Sequence, residues 1–202
     1  MSIAKMVENI KLAPGISVYK LPKEMVLNWY SIIKNYSEPL LKYGTILSKN
    51  ENGYYSTVSL DHRKCKIFST GDFAQCHNDD PLKIITLEVE NEMERVVDLF
   101  CTDYMAHKAV KNHDVIFLRY ESGDYFRYHN DDCPTYHRTV SAISYFNDDY
   151  EGGELSFKFF DVQYKPEAGD CVVFSSAFPY MHSVNEVKHG VRYAAVNWYK
   201  YV

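Results

Sequence analysis

The chain has 202 residues, 46% hydrophobic and 24% charged, with a formal net charge of −5. This excludes disordered, collagen-like and coiled-coil classes, and the length suffices for a single domain with a full core. Basic residues number 22 against 27 acidic, without the basic stripe of a duplex nucleic-acid binder, so no nucleic-acid partner is expected.

No apolar run approaches the roughly 20 residues of a membrane helix, so no membrane association is expected either. Cys65, Cys76, Cys101, Cys133 and Cys171 are widely spaced and form no C-x-x-C pair. Reduced thiols fit them better than a disulfide framework or a zinc site. The opening MSIAKMVENIKLAPG lacks the apolar stretch of a secretory signal, and a cytoplasmic location is expected.

In chain order, Pro22 to Tyr36 reads as a helix, with Met25, Leu27, Trp29, Ile32, Ile33 and Tyr36 recurring at helical intervals. Proline at its start suits a first helical turn. Residues 44–80, rich in Gly, Ser, Asn and Asp, read as irregular loops with short strands. Leu82 to Lys111 reads as one helix or two, with Ile84, Ile85, Leu87, Val89, Met93, Val96, Val97, Phe100 and Tyr104 spaced mainly by three and four.

After residue 112 the rhythm changes to short strands. They are Val115–Tyr120, Tyr125–Asp131, Thr139–Phe146, Glu154–Phe160, Cys171–Phe174, His182–Val184 and Val191–Tyr199. Turn residues separate them without long helices, which predicts an antiparallel sandwich or barrel. The expected organisation is one catalytic domain over 1–202: helical support and loops over 1–112, and a β-core over 113–202.

The segment RYESGDYFRYHND, residues 119–131, ends in His129-Asn130-Asp131. Residues two apart on a strand share a face, so His129 and Asp131 can present an imidazole and a carboxylate to one metal. Taken alone, the triplet also reads as a solvated turn. His182 adds a second imidazole, and two histidines with one carboxylate make the facial set of non-haem Fe(II) oxygenases. Arg192 follows ten residues later, across the expected turn Asn185–Gly190. A hairpin centred near Val187 would make His182 and Arg192 cross-strand neighbours. A guanidinium there suits the free end of a metal-chelating dicarboxylate. Alternation puts Arg192, Ala194, Val196 and Trp198 on one face.

With these residues in place, the chain resembles the 2-oxoglutarate- and Fe(II)-dependent dioxygenases, and among them the prolyl 4-hydroxylase-like group. The resemblance covers residues 114–202. It is carried by RYESGDYFRYHND, RTVSAISYFNDDYEGGELSF (138–157), KPEAGDCVVF (165–174) and the His182 and Arg192 segment. It implies a mainly β fold with a double-stranded β-helix (jelly-roll) core and supporting N-terminal α-helices. Further, it implies His129, Asp131 and His182 as iron ligands, Arg192 and Tyr120 as partners of the distal 2-oxoglutarate carboxylate, and Tyr145 lining the pocket. Arg138 and Trp198 match positions that hold a peptide; for Tyr120 a packed strand aromatic, and for Arg138 a solvated surface charge, are the alternatives.

The implied cofactors are Fe(II), 2-oxoglutarate and O2, with ascorbate as a candidate reductant. The implied reaction hydroxylates a C–H bond, with a prolyl residue of a peptide or protein as leading substrate, and releases succinate and CO2. Asp131 favours hydroxylation over halogenation. The same chemistry on a free amino acid, small metabolite or nucleobase, and a non-catalytic cupin-like binder, are the competing readings.

Two substitutions depart from the family pattern: Leu155 stands where threonine often follows the Gly-Gly-Glu turn, and Phe126 where a substrate-facing tyrosine is frequent. Gly152, Gly153 and Gly169 are expected in tight turns. Cys133 is expected to be an inert thiol, and His62, His77, His107, His113, His137 and His189 receive no role.

Overall fold

The computed structural model describes residues 8–73, 80–132, 135 and 137–202. The strands of the first half are β1 (Asn9–Ala13), β2 (Ile16–Lys20), β3 (Lys42–Tyr43), β4 (Ile46–Asn50), β5 (Gly53–Thr57), β6 (Arg63–Lys64), β7 (Lys66–Ser69) and β8 (Ala109–Lys111). Then follow β9 (Ile116–Tyr120), β10 (Tyr125–His129), β11 (Val140–Tyr145), β12 (Glu151–Gly152) and β13 (Leu155–Phe157). The last are β14 (Val162–Tyr164), β15 (Asp170–Ser175), β16 (His182–Val184), β17 (Val187–His189) and β18 (Arg192–Tyr201). Two α-helices, α1 (Lys23–Tyr36) and α2 (Pro81–Asp103), sit in the first half.

Two antiparallel sheets face each other as a jelly roll. The larger has the order β1-β2-β15-β11-β18-β9-β7-β3, with β8 also paired to β18; the smaller runs β14-β13-β16-β10-β6. Alternation along β11 and β18 divides the larger sheet's side chains between its two faces. Tyr193, Ala195 and Tyr199 pack with Trp29, Val89, Met93 and Val97 of the helices. Ala194, Val196 and Trp198 turn the other way, into the space between the sheets with Leu118, Tyr120, Ile143, Tyr145 and Leu155.

The helices form because their apolar residues make one stripe each. In α1, Val26, Trp29 and Ile33 are buried at spacings of three and four, while Leu27 and Tyr36 face solvent. In α2 the buried stripe runs Leu82, Ile85, Val89, Met93, Val96, Val97 and Phe100, leaving Ile84 and Leu87 exposed. Asp80 caps its start, its carboxylate accepting from the Leu82 N–H at 2.9 Å.

The structure corrects three expectations. The second helix ends at Asp103: Met105 takes φ 51° and the chain reverses into β8, which pairs with Tyr199–Tyr201. The first half is more than helix and loop, since β1, β2, β3, β7 and β8 all belong to the larger sheet. Finally, His182 and Arg192 are not cross-strand neighbours. β16 pairs with β10 and β13, whereas Arg192 pairs with Tyr120 of β9, so the two residues sit on opposite sheets.

Candidate iron and 2-oxoglutarate site

Among the described residues, His129, Asp131 and His182 form a cluster with ligand atoms all within 4.8 Å of one another. A β-bulge builds it. β10 and β16 pair Phe126 with Val184 and then His129 with His182, three residues advancing against two. Strict alternation from inward-facing Phe126 would send Tyr128 inward and His129 out. The extra residue reverses this, leaving Tyr128 44% exposed and His129 facing His182, ring centroids 4.3 Å apart. Phe157 pairs with His182 from the other side and walls the site.

Hydrogen bonds fix both imidazoles in the tautomer a metal needs. His129 Nδ1 lies 2.8 Å from the Arg127 carbonyl and His182 Nδ1 3.1 Å from the Tyr180 carbonyl. Carbonyls only accept, so each Nδ1 carries the proton and each Nε2 keeps its lone pair. The two Nε2 atoms lie 3.6 and 3.7 Å from the Asp131 carboxylate oxygens. Bonds of about 2.1 Å at right angles would bring such donors to about 3 Å, a small inward movement.

Asp131 is fastened on three sides. Its Oδ2 accepts from Ser141 Oγ at 2.7 Å, its N–H donates to the Ser176 carbonyl at 3.1 Å, and its own carbonyl accepts from Arg138 Nη1 at 3.2 Å. Burial alone would raise its carboxyl, but the two imidazoles and Ser141 hold it below the ordinary carboxylate range. Burial and then the adjacent His182 push His129 far down, to about 3. Both shifts favour an anionic carboxylate beside a neutral His129 imidazole, the ligand forms.

Across the chamber Arg192 is wholly buried, and all three of its side-chain nitrogens are without a hydrogen-bond partner. Its guanidinium carbon lies 4.9 Å from the ring centroids of both Tyr120 and Tyr145. Such cation–π contacts contribute about 0.5–2 kcal/mol each. An uncompensated buried charge costs several kcal/mol, so the deficit remains and an incoming anion would relieve it. The Tyr145 hydroxyl is also buried without a partner.

The chamber between Arg192 and the cluster is a cavity of about 40 Å³ beside a cleft of about 410 Å³. Phe126 lines both, its ring stacked 3.6 Å over that of His129. Arg138 lies 3.7 Å over the Trp198 ring on the cleft wall, with Ile46, Leu47 and Tyr54 of the β4–β5 hairpin opposite.

Seven of the eight residues singled out from the sequence line this chamber or its mouth, and Tyr145 stands against Arg192 beside it. Four further residues belong with them. Ser141 was signalled by alternation with Tyr145 along β11. His62, given no role from sequence, lines the cleft. Arg63, hidden in a segment without periodicity, lines both cavities and lies 4.8 Å over Phe126, its Nε donating to Cys65 Sγ at 3.1 Å and its Nη1 to the Thr45 carbonyl at 3.0 Å. Gly44 allows this approach: a Cβ there would meet Arg63 Nε at 2.7 Å. Tyr150 is the fourth, considered below. Cys76, Cys133 and His77 lie outside the described residues.

Residues 115–200 match the 2OG-Fe(II) oxygenase superfamily. Over these residues the chain resembles that superfamily. Its name carries the cofactors Fe(II), 2-oxoglutarate and O2, and the donor set, tautomers and unpaired guanidinium fit the first two.

A PKHD-type hydroxylase of Rippkaea orientalis is 31% identical over 120 residues, 55% of this chain and 53% of that protein. Prolyl 3-hydroxylase 2 of Rattus norvegicus is 39% identical over 67 residues, 31% of this chain and 10% of the relative. The chain thus spans about half of the first relative and a tenth of the second.

Among solved structures, a prolyl hydroxylase of Trichoplax adhaerens, in complex with a hypoxia inducible factor peptide fragment, superposes with a TM-score of 0.71 at 18% identity, covering 92% of this chain and 83% of that one. A Pseudomonas putida prolyl-4-hydroxylase gives 0.65 at 19%, covering 93% of each chain. At these identities the likeness establishes the jelly-roll fold alone.

Proposed function

We propose that the protein is an Fe(II)- and 2-oxoglutarate-dependent dioxygenase that hydroxylates a prolyl residue in a peptide or protein, releasing succinate and CO2. The observation that carries this reading is Arg192: a buried guanidinium without counter-charge, lining one small chamber with a His-Asp-His cluster. His129, Asp131 and His182 would hold the metal, and Arg192 with Tyr120 and Tyr145 would hold the distal carboxylate of the cosubstrate. Bound together, iron and cosubstrate supply the oxidising chemistry that hydroxylates the substrate.

The chain's own residues orient and shield. Ser141 steers the Asp131 carboxylate, and Phe126, Phe157 and Phe174 around the two imidazoles keep water from the reacting centre. Arg138 and Trp198 form a cation–aromatic wall against which an extended peptide can lie.

Support for a prolyl substrate comes from the relatives' names and from the open cleft beside the chamber, which is large enough for a residue within a chain. Strands from both halves share the larger sheet, so residues 1–202 act as one catalytic unit in this reading. A cytoplasmic location is supported by free buried Cys65, Cys101 and Cys171. Among the described residues no helix is long and apolar enough to cross a membrane.

The test is Fe(II)-dependent release of succinate from 2-oxoglutarate, with proline-rich peptides examined for a mass gain of one oxygen atom. Succinate release with oxygen gained only by a free amino acid or metabolite would reject the peptide substrate. No succinate under any condition would reject the activity.

A further inference from the structure

We propose that Tyr150 is a cosubstrate-binding residue, its phenol hydroxyl joining that of Tyr145 in donating to the distal carboxylate of 2-oxoglutarate against Arg192. The inference rests on the function proposed above and adds a residue to its site. The need for one arises at position 155. A threonine there could donate to the carboxylate, whereas this chain buries Leu155, which has no polar atom.

Tyr150 is placed to take over. Only 6% exposed, it has a hydroxyl that is buried and without a hydrogen-bond partner. Gly153 measures its closeness to Arg192: a Cβ built at this glycine, which has φ +65°, would meet Tyr150 Cε2 at 3.0 Å and Arg192 Cδ at 3.1 Å. Ring and guanidinium stem therefore share one small gap that only glycine leaves open. The ring is held from its other face by Lys165, whose Nζ lies 3.3 Å from the ring centroid and donates to the carbonyls of Tyr150 and Gly152 at 2.9 and 2.7 Å.

Among the described residues this hydroxyl has no acceptor. A guanidinium only donates, so Arg192 can satisfy the phenol oxygen but never its proton. Asp170, whose charge reaches both Tyr145 and Tyr150, is committed to Lys20 Nζ at 2.6 Å and to the Tyr164 hydroxyl at 2.6 Å. Burial raises the Tyr150 phenol above its ordinary value, so it stays protonated and available as a donor at physiological pH. A carboxylate arriving beside Arg192 supplies the acceptor that both phenols lack.

The experiment compares wild type with Tyr150→Phe, using anaerobic calorimetric titration of the Fe(II)-loaded proteins with 2-oxoglutarate and thermal melts of the metal-free proteins. Loss of one hydrogen bond to a charged group is expected to weaken 2-oxoglutarate binding about tenfold. Fe(II) affinity should be unchanged, and the metal-free melting temperature unchanged or higher, because the hydroxyl removed had no partner. Unchanged 2-oxoglutarate affinity would overturn the inference while leaving the proposed function standing. A lower metal-free melting temperature together with weaker Fe(II) binding would also overturn it, marking the hydroxyl as structural. A wild-type protein that binds Fe(II) but not 2-oxoglutarate would overturn the proposed function and the inference with it.

Discussion

The two faces of the larger sheet are built from the same strands with opposite results. Towards the helices, Tyr193 and Ala195 of β18 meet Trp29, Val89, Met93 and Val97 in a well-filled apolar layer. Towards the smaller sheet, the same strands place a bare guanidinium and unpartnered phenol hydroxyls around a cavity, opposite the acid–imidazole cluster that the smaller sheet contributes. One face lowers the free energy of the folded chain. The other also buries apolar residues such as Leu118, Ile143 and Leu155, but sets among them costly polar groups held in readiness for a ligand. Stability and function are thus divided residue by residue, by strand alternation.

The sharpest way to break this comparison is at the metal cluster. Replacing His129 or Asp131 by Ala should abolish Fe(II) binding and turnover, a loss of at least about a hundredfold given that even residues supporting a metal ligand contribute 10–100-fold. Melting curves should show that the variants still fold. Retained turnover in His129→Ala would refute the cluster's role.

Next comes the opposite face. Met93→Ala, in the apolar layer of α2, should cost about 2–5 kcal/mol in chemical denaturation while leaving 2-oxoglutarate affinity of the folded protein intact.

Arg192→Met should do the reverse. It should raise metal-free stability by about 1–3 kcal/mol, because a buried charge without a counter-ion is removed, and it should abolish measurable 2-oxoglutarate binding. A destabilised Arg192→Met protein would show that the guanidinium supports the fold and is not held against it.

The smallest effect is a pH dependence. The folded state holds His129 at about 3 against an ordinary value of 6.5, so the unfolded chain binds the proton more readily. Metal-free stability should therefore fall as pH drops below about 6.5, by up to about 1.4 kcal/mol per pH unit, down to the folded value. Denaturation midpoints measured between pH 7 and 5 would show it.

The chamber face was more legible in sequence than the layers around it. H-x-D, a distant histidine and an arginine ten residues on carry their chemistry in residue type and spacing, and all four reach the chamber. Their relation in space was less legible. The separation of His182 from Arg192 suggested one hairpin, but β17 leaves to pair with β12, and β18 crosses to the other sheet. The bulge in β10 carries no local signal, because its purpose is set by the partner strand.

The strands of the first half were hidden for a related reason. β2 pairs with β15, far along the chain, and β1 with β2; β2 does not alternate, since Ile16, Ser17, Val18 and Tyr19 are all buried. Arg63 and Tyr150 were missed because a charge in an irregular loop and a tyrosine in an acidic turn ordinarily face solvent. Only the packing of Gly44 and Gly153 against them shows that these two are enclosed.

The most direct test of the central claim is an anaerobic titration of the Fe(II)-loaded protein with 2-oxoglutarate, followed by visible absorbance. A ligand bridging the His129-Asp131-His182 cluster and Arg192 should produce a weak charge-transfer band that saturates at one equivalent and is absent from Arg192→Met. Full Fe(II) occupancy with no such band, or an equal band in Arg192→Met, would contradict the account.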